Sequence, residues 1–121
     1  MKTVLCGGRF NKIHPGHEYF LRKAKGHGDY LVVVIAHDSQ NTKPFDKRPI
    51  GERKKAVELL GIADKAVAGH GKDFFKVVEK YKPKVIALGW DQNLPFAKVR
   101  LKGIRVVKIG KLDDTKIEKI K

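Results

Sequence analysis

Residues Tyr30 to Ala36, YLVVVIA, form a nearly unbroken run of aliphatic and β-branched side chains. A strand with one wet face alternates apolar and polar residues, so a run without alternation predicts a strand covered on both sides, the kind that parallel sheets hold between layers of helices. Parallel strands need crossovers, and the flanking segments supply them. Thr3 to Cys6 is a short apolar run stopped by Gly7 and Gly8, after which Pro15 and Gly16 open an amphipathic helix that ends at Gly26 and Gly28. His37 to Pro49 is polar, aperiodic and interrupted by prolines, which predicts a surface loop. Ile50 to Leu60 predicts a helix ended by Gly61, with Ala56, Val57, Leu59 and Leu60 on one side and Glu52, Arg53, Lys54 and Lys55 largely on the other. Strands near Lys65 to Ala68, Val85 to Leu88 and Ile104 to Ile109, with helices over Asp73 to Tyr81 and Leu94 to Leu101, continue the alternation. The pattern predicts an α/β fold: a single Rossmann-like domain over residues 1–121, with an open, mostly parallel sheet of about five strands and helices on both faces. Ligands bind such sheets at the carboxyl ends of the strands, which directs attention to the segments after Cys6, Ala36 and Leu88.

Composition narrows the partners. The 27 Lys and Arg against 13 Asp and Glu leave a net charge of +14, which favours polyanions: nucleic acid, an anionic membrane surface, or phosphate-rich small molecules such as nucleotides. No apolar run approaches the ~20 residues that span a bilayer, and the first strand leads into Gly and Arg instead of a signal-peptide core, so no membrane contact and a cytoplasmic location are expected. The lone Cys6 excludes an internal disulfide and a cysteine-based zinc site. A nucleic-acid-binding module is the reading from a different class. Dispersed cations and an aromatic content of only 8% argue against it, because such surfaces gather basic residues with aromatics interleaved.

The segment after the first strand is GGRFNKIHPGH, Gly7 to His17. His14 and His17, three residues apart at a helix start, direct both rings toward the same end of that helix. A helix start also offers backbone N–H groups and a partial positive charge, which together favour an anion. Gly7 and Gly8 would let a phosphate approach the backbone, and Arg9 and Lys12 add charge to the rim. Two other readings stay open. The histidines could bind a metal, although His27, His37, His70 and Asp38 offer no tightly spaced third ligand, or they could be ordinary polar residues at a helix end.

HPGH placed just after a glycine-ended first strand resembles the signature of the HxGH nucleotidyltransferase superfamily, whose members transfer a nucleoside monophosphate from a triphosphate to a phosphate-like acceptor. The resemblance covers nearly the whole chain. AHD (Ala36 to Asp38), the Lys-bearing loop after it and KRPIGERKKAV (Lys47 to Val57) resemble archaeal FAD synthases and glycerol-3-phosphate cytidylyltransferases, and LGWDQ (Leu88 to Gln92) is similar to the FAD synthase LGYDQ. DDTKIEKI (Asp113 to Ile120) resembles the late STTKI-type segment, with Asp113 and Asp114 in place of Ser and Thr, so that Thr115 and Lys116 carry over. GRFN (Gly8 to Asn11) departs from the common GTFD and resembles the GRFQ of archaeal nicotinamide-mononucleotide adenylyltransferases.

The resemblance implies attack by an acceptor phosphate on the α-phosphorus of a nucleoside triphosphate, without a covalent enzyme intermediate. ATP and FMN are the favoured substrates. The alternatives are a cytidylyltransferase acting on glycerol 3-phosphate or a similar phosphorylated alcohol, a nicotinamide-mononucleotide adenylyltransferase, and a nucleotide sensor that has lost catalysis. It implies His14 and His17 as donors to phosphate oxygens, with Lys43 or Lys47 and Arg53 closing over the triphosphate and Lys111 near the late segment. It further implies nucleotide contacts from Gly8, Arg9, Phe10, Pro15, Gly16, Asp91 and Thr115. Phe10 packs beneath the loop or beside the nucleotide, and Trp90 stacks on a base or caps the core. Mg²⁺ or another divalent cation is expected on the substrate phosphates, with no dedicated protein metal site. A homodimer is compatible with the resemblance.

Overall fold

In a computed structural model of the chain, the residues described are 2–10, 13–36, 49–69, 74–89 and 103–110. The elements are β1 (Thr3–Gly8), α1 (Pro15–Lys25), β2 (Tyr30–Ile35), α2 (Ile50–Leu59), β3 (Lys65–Ala68), α3 (Phe74–Tyr81), β4 (Val85–Leu88) and β5 (Arg105–Lys108). The five strands form one sheet in the order β3-β2-β1-β4-β5, and every pairing is parallel. The expected helix over Leu94 to Leu101 lies outside the described residues.

The two-sided burial expected of Tyr30 to Ala36 is present. In β2 the residues Leu31 to Ile35 are all buried. Successive side chains enter opposite layers, as strand geometry requires. Leu31, Val33 and Ile35 join Val4, Cys6, Val85 and Ala87 in a layer closed by Leu21 and Ala24 of α1 and Val57 of α2. Val32 and Val34 join Leu5 and Ile86 in a second layer, closed by Val77 and Val78 of α3. Helices therefore cover both faces. Asp64 fastens the first layer at its lower end: its carboxylate accepts the Leu31 N–H at 2.8 Å and the Lys25 Nζ at 3.4 Å.

One helix face departs from expectation. The inner side of α2 runs through Ile50, Arg53, Val57 and Leu60, at spacings of three and four, with Arg53 fully buried, whereas Leu59 is 78% exposed. Grouping Leu59 with the core and Arg53 with the solvent therefore sets the helix at the wrong rotation. The cause is the guanidinium itself, which occupies a core position that a hydrophobic pattern cannot reveal.

The strand order fixes where a ligand would sit. The chain moves outward from β1 through β2 to β3, then returns to the other side of β1 for β4 and β5. Neighbouring crossovers thus leave in opposite directions from β1 and β4, which opens a crevice beyond Gly8 and Leu88.

Candidate active site

Beyond Gly8 the chain turns sharply. Phe10 adopts the left-handed conformation, φ +53°, and is 3% exposed, packed in the layer beneath α1 and α2. This conformation folds its ring back over Gly8: a Cβ at Gly8 would lie 2.9 Å from Phe10 Cε2. The glycine therefore makes room for an aromatic ring on its Cβ side. Phe10 is accordingly a core residue under the loop that also reaches the site, since its ring meets His17 at 5.2 Å between centroids with a 53° tilt.

His14 is the N-cap of α1, in extended backbone geometry, with Pro15 following it inside the helix. Its Nδ1 accepts the Gly16 N–H at 3.0 Å. His17 answers three residues later, its Nδ1 accepting the His14 N–H at 3.3 Å. This is a capping box in which two imidazoles replace the usual Ser and Glu. The His17 N–H bonds to the His14 carbonyl at 2.9 Å and Pro15 has no N–H, so the helix start does not present the free backbone donors expected of it.

The donors are relocated onto the rings. A neutral imidazole carries one N–H, and when Nδ1 accepts a hydrogen bond the proton resides on Nε2. The cap thereby sets the tautomer of both histidines. The two rings stack, 3.9 Å between centroids and 25° apart in plane. Gly16 permits this, because a Cβ there would lie 2.8 Å from His14 Cε1 and 3.0 Å from Nδ1. The spacing HPGH thus has a reason at every position: a cap, a proline that wants no donor, a glycine that clears the ring, and a second ring that closes the box.

Arg9 is exposed on the turn. Its carbonyl accepts Arg53 Nη1 at 2.9 Å, so Arg53 approaches the turn from the core side. Neither the hydrogen bond nor the burial of Arg53 was legible in the sequence, where the helix pattern sets it on the solvated side of α2 and the resemblance sets it over the triphosphate. Cys6, on the same strand as Gly8, is desolvated by burial, which pushes its thiol up to about 12 and leaves it unsuited to act as a nucleophile. Among the described residues no group of three His, Cys, Asp or Glu side chains converges to hold a metal ion, and no helix is long and apolar enough to cross a membrane. Lys12, Lys43, Lys47, Trp90, Asp91, Lys111 and Thr115 lie outside the described residues.

The arrangement matches known proteins in sequence and in shape. The cytidylyltransferase-like family profile fits residues 5–114. An FAD synthase of Ferroglobus placidus is 42% identical over 124 aligned positions, which span 97% of this chain and 82% of that protein. An FAD synthase of Aciduliprofundum boonei is 40% identical over 95% of this chain and 83% of its own length, and one from Methanosarcina mazei is 47% identical over 77% of this chain and 62% of its own. Among solved structures, a lipopolysaccharide core biosynthesis protein from Thermoplasma volcanium superposes with a TM-score of 0.82 at 33% identity, over 93% of this chain and 99% of that one. A pantothenate synthetase from Thermus thermophilus shares the fold alone, at 10% identity and a TM-score of 0.65 over 95% of this chain and 58% of its own. With a strand-end crevice, a histidine-capped helix beside it and a family profile matched over nearly its whole length, the chain belongs to the cytidylyltransferase-like family of nucleotidyltransferases.

Proposed function

We propose that the protein is an FMN adenylyltransferase, transferring AMP from ATP to FMN to give FAD and pyrophosphate. The observation that carries this reading is the stacked His14–His17 pair at the cap of α1, in a chain similar to archaeal FAD synthases over nearly its full length. A phosphate oxygen of FMN attacks the α-phosphorus of ATP, the bond from that phosphorus to the bridging oxygen of the β-phosphate breaks, and pyrophosphate departs with the electron pair. The enzyme has no bond of its own to make. Its work is alignment of two polyanions and stabilisation of the charge that develops on the transferring group.

The Nε2–H groups of His14 and His17 suit that work, being directional donors held by a helix cap and placed where the α1 macrodipole is positive. Arg9, exposed on the adjoining turn, adds a guanidinium able to bind a phosphate through two N–H groups. A divalent cation carried on the triphosphate would supply further charge neutralisation; the described site residues offer N–H donors, which suit phosphate oxygens, and magnesium keeps mostly phosphate and water ligands. Lys43, Asp91 and Thr115 are assigned to triphosphate closure, ribose or base contact and the late segment on the strength of the resemblance.

The test is pyrophosphate release by purified protein with Mg²⁺ and either ATP or CTP, against FMN, glycerol 3-phosphate and nicotinamide mononucleotide. FAD formation with ATP and FMN, and no comparable turnover with the other pairs, is the expected result. Turnover with CTP and glycerol 3-phosphate alone would replace the reading with the cytidylyltransferase one. Absence of both turnover and nucleotide binding would remove the enzyme reading altogether.

A further inference from the structure

We propose that Arg53 is a positioning residue: from beneath the β1–α1 turn it sets the orientation of the His17 ring, and it does not itself grip the triphosphate. The inference rests on the histidine pair being the phosphate-binding element of the proposed reaction. Arg53 is 0% exposed, on the core-facing side of α2 that Ile50, Val57 and Leu60 also occupy. A guanidinium that binds a substrate phosphate must meet it at the surface of the crevice. This one instead donates Nη1 to the Arg9 carbonyl at 2.9 Å.

That oxygen belongs to the peptide plane that also carries the Phe10 N–H. Holding it fixes the plane from which Phe10 rotates to φ +53°, a conformation that a bulky aromatic residue does not keep without outside support. Left-handed Phe10 lays its ring over Gly8 and against His17, and His17 in turn stacks on His14. A continuous set of contacts therefore runs from a buried charge on α2 to the two rings at the cap of α1, across 44 residues of sequence between Arg9 and Arg53. Each contact sets an orientation: a hydrogen bond sets a peptide plane, the plane sets a ring, and the ring packs on the imidazole.

The experiment compares wild type with Arg53→Met in ¹⁵N-histidine spectra of the protein without ligand, and in steady-state kinetics with ATP and FMN. In the wild type His17 should show the fixed Nε2–H pattern. In Arg53→Met the His17 signals should move toward tautomer averaging while the far-ultraviolet circular dichroism is retained, and kcat should fall about 10- to 100-fold with KM for ATP within about threefold of wild type. An unchanged His17 pattern with a large rise in KM for ATP would overturn the proposal, because it would place Arg53 on the triphosphate. A lowered melting temperature with unchanged His17 signals would overturn it too, leaving Arg53 only structural. If Arg53→Met does not fold, Phe10→Gly serves in its place: it relaxes the left-handed position and removes the ring while keeping Arg53. His17 signals that move support the chain of contacts, and signals that stay fixed break it. If the wild type makes no FAD, the proposed reaction fails, and the spectra still decide the role of Arg53.

Discussion

Gly16→Ala separates the site from the fold more sharply than any other single change. The glycine is not required for its backbone angles but for space, since an added Cβ would lie 2.8 Å from Cε1 and 3.0 Å from Nδ1 of the His14 ring. To restore ordinary carbon–carbon contact the ring must withdraw by about 0.6 Å or more, and the ring is the movable partner, a side chain exposed at the helix end. Two effects on stability oppose each other. Alanine is favoured over glycine inside a helix by up to about 1 kcal/mol, and loss of the Nδ1 cap from the Gly16 N–H costs about 0.5–2 kcal/mol. The net change is small, and the melting temperature should stay within about 4 °C of wild type. Activity has no such compensation. Withdrawal of the ring carries its Nε2–H away and unstacks it from His17, and a misplacement approaching 1 Å is worth about 10²-fold in rate. The assay is kcat for pyrophosphate release beside a thermal melt of the same preparation. A Gly16→Ala protein with kcat within twofold of wild type would refute the steric account of the motif, and so would a variant that is inactive because it is unfolded.

Three further outcomes are expected. His14→Asn keeps an oxygen to accept the Gly16 N–H and should melt near wild type, yet lose about 10²-fold or more in kcat for want of the Nε2–H; His14→Ala should lose the activity and about 1 kcal/mol of stability as well, measured by denaturant unfolding. Gly28→Ala sets a Cβ 2.7 Å from the Lys2 carbonyl oxygen, a backbone atom, and 2.7 Å from Val4 Cγ2; it should cost about 1–3 kcal/mol while kcat of the folded fraction stays at the wild-type value. Cys6, whose thiol rises from 9.0 to about 12 on burial, favours the folded state fully below pH 9, and that contribution disappears as pH climbs toward 12, because the unfolded chain can ionise its thiol and the folded chain cannot. The stability difference between wild type and Cys6→Ala should therefore shrink steadily over that interval in urea titrations.

The parts of the fold that were legible in advance are those where one kind of interaction decides. Val32, Val33 and Val34 have no polar neighbour to send toward water, so a sheet covered on both faces was the only economical solution, and Leu5 and Cys6 enter opposite layers by the same alternation. Gly61, with φ +71°, ends α2 where a glycine is needed. The face of α2 was not legible, because Arg53 serves the core as a hydrogen-bond donor and a pattern of hydropathy weighs it only as a charge. The site was half legible. His14 and His17 at i and i+3 announced a shared helix end, but not that each would spend Nδ1 on the backbone, an outcome set by the rotamers of two rings stacking in the space left by Gly16. Phe10 was ambiguous for a similar reason: its place depends on a left-handed backbone that nothing local in the sequence demands and that a residue 43 positions later supports.

The net charge of +14 suggests a crevice crowded with cations, and the described residues distribute the charge otherwise. In a parallel sheet every strand starts at the same end, and Lys2, Lys65, Lys84 and Arg105, all exposed, stand at or next to the strand starts, with exposed Lys82 just before β4. That end is opposite the crevice. Strands of four to six residues are about 13–20 Å long, beyond the screening length of about 8 Å at physiological ionic strength, so these cations raise the overall attraction of a polyanion to the protein without adding much to the potential at the carboxyl ends. Arg53, which the resemblance would place over the triphosphate, donates Nη1 to the Arg9 carbonyl. On the proposed reading, the groups among the described residues that would tell one phosphate geometry from another act at contact distance: the exposed guanidinium of Arg9, the positive end of α1, and two ring N–H groups whose direction is set by a cap. On that reading, net charge draws the nucleotide to the protein, and the cap sets how its phosphates lie.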